Sequence, residues 1–344
     1  MNTPNFELMS YDIFTSPKYT QRYHTEDGDA VNGYFLKQGN KEGVFFKTSN
    51  NKCRIMIGNE FEPYLYRGEN QKYKYFQPSL EREKAKGQLE HCVAWIRANQ
   101  FKRAFKTTPY YTLEKIEVLD CNFEFDLESL AQHYEFKTNY IDLTKDIRVA
   151  EFFAYTYIDD KGKYKPITDF DKYHPHIYRA KISDIMSYNK DIFTIVGFQA
   201  ALRPLRQFAM ALNLSDGNKT IRDDIFEELK QDNDIENLKN KAIEIYEYFD
   251  KGKKLFPDDE LQKLEYELKK EDAIITEESI IEYAATFNVS FGKIKSMLRH
   301  KGYNIKNKIL YPCTNLKEKM QREVDYEIVP WIEKNIGHRI TFRI

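Results

Sequence analysis

The sequence predicts an α+β protein, with a curved, mainly antiparallel sheet core followed by a small helical C-terminal domain. Three observations carry that expectation. Short β-prone runs recur through the first two thirds of the chain, without the regular strand–helix alternation that a parallel doubly wound sheet requires. From about residue 221 onward, helical and charge-rich patterns dominate. Glycine and proline are scarce, 14 and 11 in 344 residues, so most of the chain is expected to be ordered, with no low-complexity linker.

Composition narrows the function classes. Lysine and arginine total 53 against 54 acidic residues, so overall charge argues for neither a nucleic-acid-coating protein nor an acidic tail, and any charge-based reading must be local. An apolar fraction of 41% suits one large core or two domains. The opening stretch MNTPNFELMSYDIF lacks a basic start followed by an apolar run, and nowhere do about 18 uncharged apolar residues run together. A cytoplasmic chain without a membrane anchor is expected. Cys53, Cys92, Cys121 and Cys313 show neither CxxC nor Cys/His spacing, which points to reduced structural thiols and no metal centre.

Each element follows from local pattern. Val44 to Lys47 and Arg54 to Ile57 are candidate strands on either side of the turn-prone Ser49 to Lys52, within a strand-rich extension over 1–54. Tyr64, Leu65 and Tyr66 form the next β-prone run, ending in Arg67-Gly68. Glycine after arginine at a strand end lets the backbone turn and a ligand approach, while the plain alternative is a surface arginine and a turn glycine. Leu80 to Phe105 has helical spacing that buries Leu89, Val93, Ile96 and Phe101 and leaves Glu90 and His91 on the solvated face.

The densest stretch is Leu130 to Ala154, LAQHYEFKTNYIDLTKDIRVAEFFA. Its pattern is helix, turn, strand at Tyr140 to Leu143, loop, then a helix crowding Val149, Ala150, Phe152 and Phe153 on one face. Asp142 and Thr144 fall at the strand-to-helix corner, where backbone N–H groups and polar side chains can face a cleft. Alternatively Asp142, Thr144 or Asp146 simply caps the helix. Asp159 to Gly162 suits a loop or hairpin. His174 and His176 flank Pro175 without a nearby third ligand and suit a hairpin edge better than a metal. Ile177 to Ala180 resembles a strand. Asp191 to Leu214 embeds Arg203, Arg206 and Gln207 in apolar sequence, where buried polar groups must find partners.

Ile280 to Tyr303 has its own pattern: helix, tight turn at Asn288 to Ser290, second helix. Ile281, Ala284, Ala285, Val289, Ile294 and Leu298 supply the positions expected of a helix-turn-helix. Lys293, Lys295, Arg299, Lys301, Lys306 and Lys308 follow with no acid between them. Contact with DNA or RNA phosphates is one reading; a helical hairpin packed on the main domain has equal weight.

Several of these pieces together resemble the FRG domain family, named for a Phe/Tyr-Arg-Gly motif. The matching residues are Tyr66-Arg67-Gly68, Pro78 to Leu80, Gln132 to Tyr134, the T-x-x-x-D-x-T of Thr138, Asp142 and Thr144, VAxFFA at Val149 to Ala154, the R-x-x-x-Q of Arg203 and Gln207, and LFPD at Leu255 to Asp258. The resemblance covers an FRG domain over 55–270, and the helix-turn-helix pattern described above sets a C-terminal helical domain over 271–344. Where the family pattern has HYG-x-PTRLLDWT-x-NP, this chain has Glu135, Lys137, Asn139, Leu143, Asp146 and Ile147, and Ala209 stands where a glycine is expected.

The family's layout is similar to that of ADP-ribosyltransferases, which implies NAD as substrate and no metal. By that analogy Arg67, Thr144 and Gln207 are the successive site elements, with Asp142 and His133 as further candidate catalytic side chains. A guanidinium grips a pyrophosphate by two parallel bonds where an ammonium cannot, so Arg67 suits that clamp, with Gly68 beside it. Cleaving the nicotinamide bond develops an oxocarbenium-like ribose, which needs oriented hydroxyl contacts and an aromatic seat. Thr144 would hold the ribose, Gln207 or Asp142 its 2′ hydroxyl, and Tyr134 or Phe153 the ring, with Thr138 nearby. A toxin or antiphage effector modifying nucleic acid or protein is then expected, or an NAD glycohydrolase. The alternative is a non-catalytic FRG protein that senses a ligand or binds nucleic acid through Lys293, Lys295 and Arg299. A metal-free nuclease using His133 and Arg67 is a third reading.

Overall fold

The computed structural model describes residues 9–10, 43–49, 52–57, 64–118, 121–215, 220–270, 273–307, 312–330 and 341–342. Most of the 1–54 extension, the tip of the Ser49 to Lys52 turn and Lys308 lie outside the described residues. The protein is of the mixed helix-and-sheet, α+β kind. Its contacts collect into two compact units, one formed by Met1–Phe76, Val118–Cys121 and Ile141–Pro257, the other by Gln77–Glu117, Asn122–Tyr140 and Asp258–Ile344.

The first unit is built on a six-stranded, mainly antiparallel sheet. Its strands are β1 (Tyr64–Glu69), β2 (Tyr140–Thr144), β3 (His176–Lys181), β4 (Phe193–Ile195), β5 (Ala209–Asn213) and β6 (Glu227–Leu229), in the order β4-β5-β2-β1-β3-β6. On β1 and β3 the register sets Leu65 opposite Ala180, Arg67 opposite Tyr178 and Glu69 opposite His176, and Tyr178 in turn faces Glu228 on β6. Side chains alternate across a strand, so these rows share one face. That face carries Leu65, Ile141, Leu143, Tyr178, Ala180, Met210 and Leu212 into a core with Phe76, Ile182 and Ile185.

The opposite face packs against the helix Ile147–Tyr155, whose Val149, Ala150 and Phe152 join Ile177 and, from the helix Ile235–Tyr248, Ala242 and Ile245. Contact is closest at Gly68, where a Cβ would stand 1.8 Å from the Ala150 carbonyl oxygen. Glycine is therefore required because a helix backbone lies on the strand, and neither a turn nor a ligand approach explains it. Gly43–Ser49 and Lys52–Ile57 form the expected antiparallel hairpin, and Thr156–Ile158 pairs with Tyr164–Pro166 around the Asp159 to Gly162 turn.

In the second unit the helix expected from Leu80 to Phe105 is broken into Ser79–Lys86 and Gln88–Phe105 at Gly87, which has φ +155°. Ile96 and Phe101 are fully buried as the spacing implies. His91, read from sequence as solvated, is instead buried: its Nδ1 lies 2.9 Å from the Tyr283 hydroxyl, and burial, with Lys84 nearby, holds its pKa below the ordinary value. The helices Glu277–Thr286 and Phe291–His300 meet at a tight turn with Asn288 at φ 49° and Ser290 as N-cap. Ile294 and Leu298 pack with Cys92, Ile96 and Ile280, whereas Ile281 and Ala285, two of the apolar and small positions read as a helix-turn-helix pattern, are exposed. No helix among the described residues is long and apolar enough to cross a membrane.

Candidate functional site

The strand-to-helix corner is fastened by its polar side chains. Thr144, at the end of β2, donates its hydroxyl to the Gln207 carbonyl at 2.7 Å and accepts from the Asp146 amide at 3.1 Å. Asp146 is the cap, since its carboxylate accepts from the Arg148 amide at 2.9 Å. Gln207 follows the short helix Leu202–Arg206, is 5% exposed, and donates its side-chain amide to the Leu255 carbonyl at 3.2 Å. Arg203 is buried beneath the Phe256 ring, its guanidinium carbon 5.9 Å from the centroid. The R-x-x-x-Q and LFPD pieces are thus joined to the Thr144 corner through main-chain acceptors.

Arg67 is held on the other side of the same sheet region. Its Nε donates to Glu69 Oε1 at 2.8 Å, its Nη1 donates to the Asp142 carbonyl at 2.9 Å, and its guanidinium carbon lies 5.3 Å from the centroid of Phe76. The Arg67 side chain is 18% exposed and that of Glu69 only 3%. These bonds leave Nη2 and the outer edge of the guanidinium to act on a ligand. Glu69 was not among the residues selected from sequence, although its position two residues after Arg67 in a β-prone run places it on the same face.

Beside this pair, His176 Nδ1 lies 2.6 Å from Glu228 Oε1. Burial pushes Tyr178 up to about 12, with Glu228 and Glu69 adding to it. Burial also works to raise Glu228, yet bonds to His176 and attraction from Lys72 outweigh it and hold that carboxyl below its ordinary range. Arg222 lies over Tyr178, 5.8 Å from the ring centroid.

The remaining candidates divide between the units. Phe153 is half-buried in the first, edge-on to Tyr164 and Phe256. His133, Tyr134 and Thr138 belong to the second. Tyr134 is enclosed, its hydroxyl donating to Asp259 Oδ2 at 2.5 Å and its ring stacked on Phe101 at 5.8 Å, so it presents no open aromatic face. Thr138 donates its hydroxyl to Gln132 Oε1, accepts from the Tyr140 amide at 3.2 Å, and receives Leu80 N–H at its carbonyl at 3.0 Å. The Pro78 to Leu80 and Gln132 to Thr138 motifs form one hydrogen-bonded knot. His133 is 6% exposed. Among the described residues no group of three or more His, Cys, Asp or Glu is placed to hold a metal ion.

Arg67 is therefore bonded to the Asp142 carbonyl on one face of the sheet, and Thr144 to the Gln207 carbonyl on the other, in an α+β sheet unit with an arginine–glutamate pair on a central strand. Residues 62–163 match the family model of the FRG domain, a span that takes in every quoted motif from Tyr66-Arg67-Gly68 to Val149–Ala154. Arg203, Gln207 and Leu255 to Asp258 lie beyond the matched span. No curated protein and no solved structure matches the chain.

Proposed function

We propose that this protein consumes NAD as an ADP-ribosyltransferase-like enzyme, acting as a toxin or defence effector on nucleic acid or protein. The observation that carries the reading is Arg67: a guanidinium fixed by Glu69, the Asp142 carbonyl and Phe76, yet still partly exposed. A pre-positioned planar cation loses little freedom on gripping a pyrophosphate. The Thr144–Gln207 tie supports it by holding the neighbouring corner rigid, which makes Thr144 a positioning residue, whereas Phe153 packs on the helix-covered face of the sheet, away from Arg67. Incubating the full chain with NAD, with and without nucleic acid, should release nicotinamide. Arg67→Lys retains charge but loses the fork and should lower release by about tenfold or more. Absence of release from the wild type with every acceptor offered overturns the reading.

A nucleic-acid-binding role has one observation of its own. On the helix Phe291–His300 the buried stripe is Ile294 and Leu298, while Lys293 and Arg299 are exposed; Lys295 is half-buried and paired with Glu277. If this helix meets phosphates, affinity in filter binding falls as salt rises, and Lys293→Glu with Arg299→Glu should flatten the log–log slope by about two. An unchanged slope excludes the helix from the interface.

A further inference from the structure

The face of the sheet beyond Arg67 holds three buried polar atoms with no hydrogen-bond partner among the described residues: Glu69 Oε2, the Tyr178 hydroxyl and His176 Nε2. Glu69 is 5% exposed and Tyr178 2%. They sit on one face by register, since His176 is directly opposite Glu69 on the adjacent strand and Tyr178 is the next same-face residue along β3. Buried polar groups are nearly always bonded, so three orphans in one patch mark a place where something polar belongs.

The groups around the patch define what it accepts. Glu69 Oε2 only accepts. His176 Nδ1 faces the Glu228 carboxylate and so carries its proton there, which makes Nε2 an acceptor in the neutral ring. The Tyr178 hydroxyl donates or accepts. A free anion is disfavoured because Glu69, Glu228 and Asp223 surround the site, and a bare cation because Arg67 is already bonded to Glu69 and Arg222 lies over Tyr178. A neutral group that both donates and accepts at adjacent positions remains, which is the chemistry of vicinal hydroxyls.

We propose that Glu69, Tyr178 and His176 form a subsite for the 2′ and 3′ hydroxyls of a ribose, with Arg67 on the same face placed for the attached phosphate. The choice of a nucleotide rests on the NAD reading above; the assignment of a diol rests on the three unpartnered atoms. Glu69 and His176 accept from the two hydroxyls and Tyr178 bridges them. The 70–76 stretch borders the site, with Phe76 edge-on to Tyr178 at 5.3 Å and the carbonyls of Tyr73 and Lys74 bonded to Arg222.

Calorimetric titration of the full chain with ADP-ribose, AMP and 2′,3′-dideoxy-AMP tests it. ADP-ribose and AMP should bind, and the dideoxy analogue should bind at least about tenfold more weakly, as expected for two lost hydrogen bonds. Tyr178→Phe should weaken AMP by about three- to tenfold and leave the dideoxy analogue unchanged. Glu69→Gln should cost more; because it also alters the Arg67 pair, Tyr178→Phe is the deciding variant. Equal binding of AMP and its dideoxy analogue, a Tyr178→Phe protein that binds AMP as wild type does, or no nucleotide binding at all overturns the subsite. Diol-dependent binding without nicotinamide release would uphold the subsite and remove the catalytic reading. Nicotinamide release indifferent to Tyr178→Phe and Glu69→Gln would do the reverse.

Discussion

Gly68→Ala should cost about 3 kcal/mol or more of stability, the upper range for overpacking, and give a chain that is poorly folded at ordinary temperature. The added Cβ would lie 1.8 Å from the Ala150 carbonyl oxygen, 2.7 Å from its carbon and 2.9 Å from the Ala154 amide nitrogen. All three are helix backbone, so no change of rotamer relieves the clash. Either the helix Ile147–Tyr155 lifts from the sheet, exposing Val149, Ala150 and Phe152, or β1 moves and breaks its register with β3. Gly292→Ala is the control: its Cβ would meet only Ser290 Oγ, at 3.9 Å, and in a helix the change should be neutral or slightly stabilising. Urea denaturation reads both, and a Gly68→Ala midpoint matching wild type would show that the helix contact is slack.

Arg67→Ala should destabilise by about 3–5 kcal/mol, because it leaves the Glu69 carboxylate, 3% exposed, without the cation bonded to it. The Asp142 carbonyl loses its arginine donor in the same step. Replacing both partners, Arg67→Met with Glu69→Leu, should recover most of that loss, since removing a buried pair costs far less than breaking it. A double-mutant cycle by denaturation measures the coupling, and a single Arg67→Ala cost below about 1 kcal/mol would mean that water reaches Glu69 freely. Activity lost in Arg67→Ala would be ambiguous between folding and ligand contact, which is why the lysine variant is the fair test of the clamp.

Much of the sheet could be read from the chain. Alternation placed β1, β2 and β3 within a residue or two, and the break after Thr144 announced the helix that follows. The roles of individual motif residues were less legible, because most depend on partners far away in sequence. Thr144 and Gln207 are separated by 63 positions, and Tyr134 is bonded to Asp259, 125 positions on. Hydrophobic period cannot report such pairings. Gly68 misled for a different reason: a glycine signals permissive dihedrals or close approach, and the approaching group here is a helix. His91 looked solvated because its ring partner Tyr283 lies 192 residues downstream. Glu69, by contrast, was within reach, since a strand that points Arg67 at a core face points the residue two further on the same way.

The helix seated on Gly68 leaves β1 a tool with only one working edge to its blade. Anything on the Tyr66 and Gly68 side must accommodate the helix backbone, so diversification of ligand preference, by selection or by engineering, is channelled to the odd-numbered positions and to the residues opposite them. A library varying only Arg67, Glu69, His176, Tyr178 and Glu228 would sample nearly all the specificity this strand can express. One that varied the even positions would mostly sort its members by whether they fold.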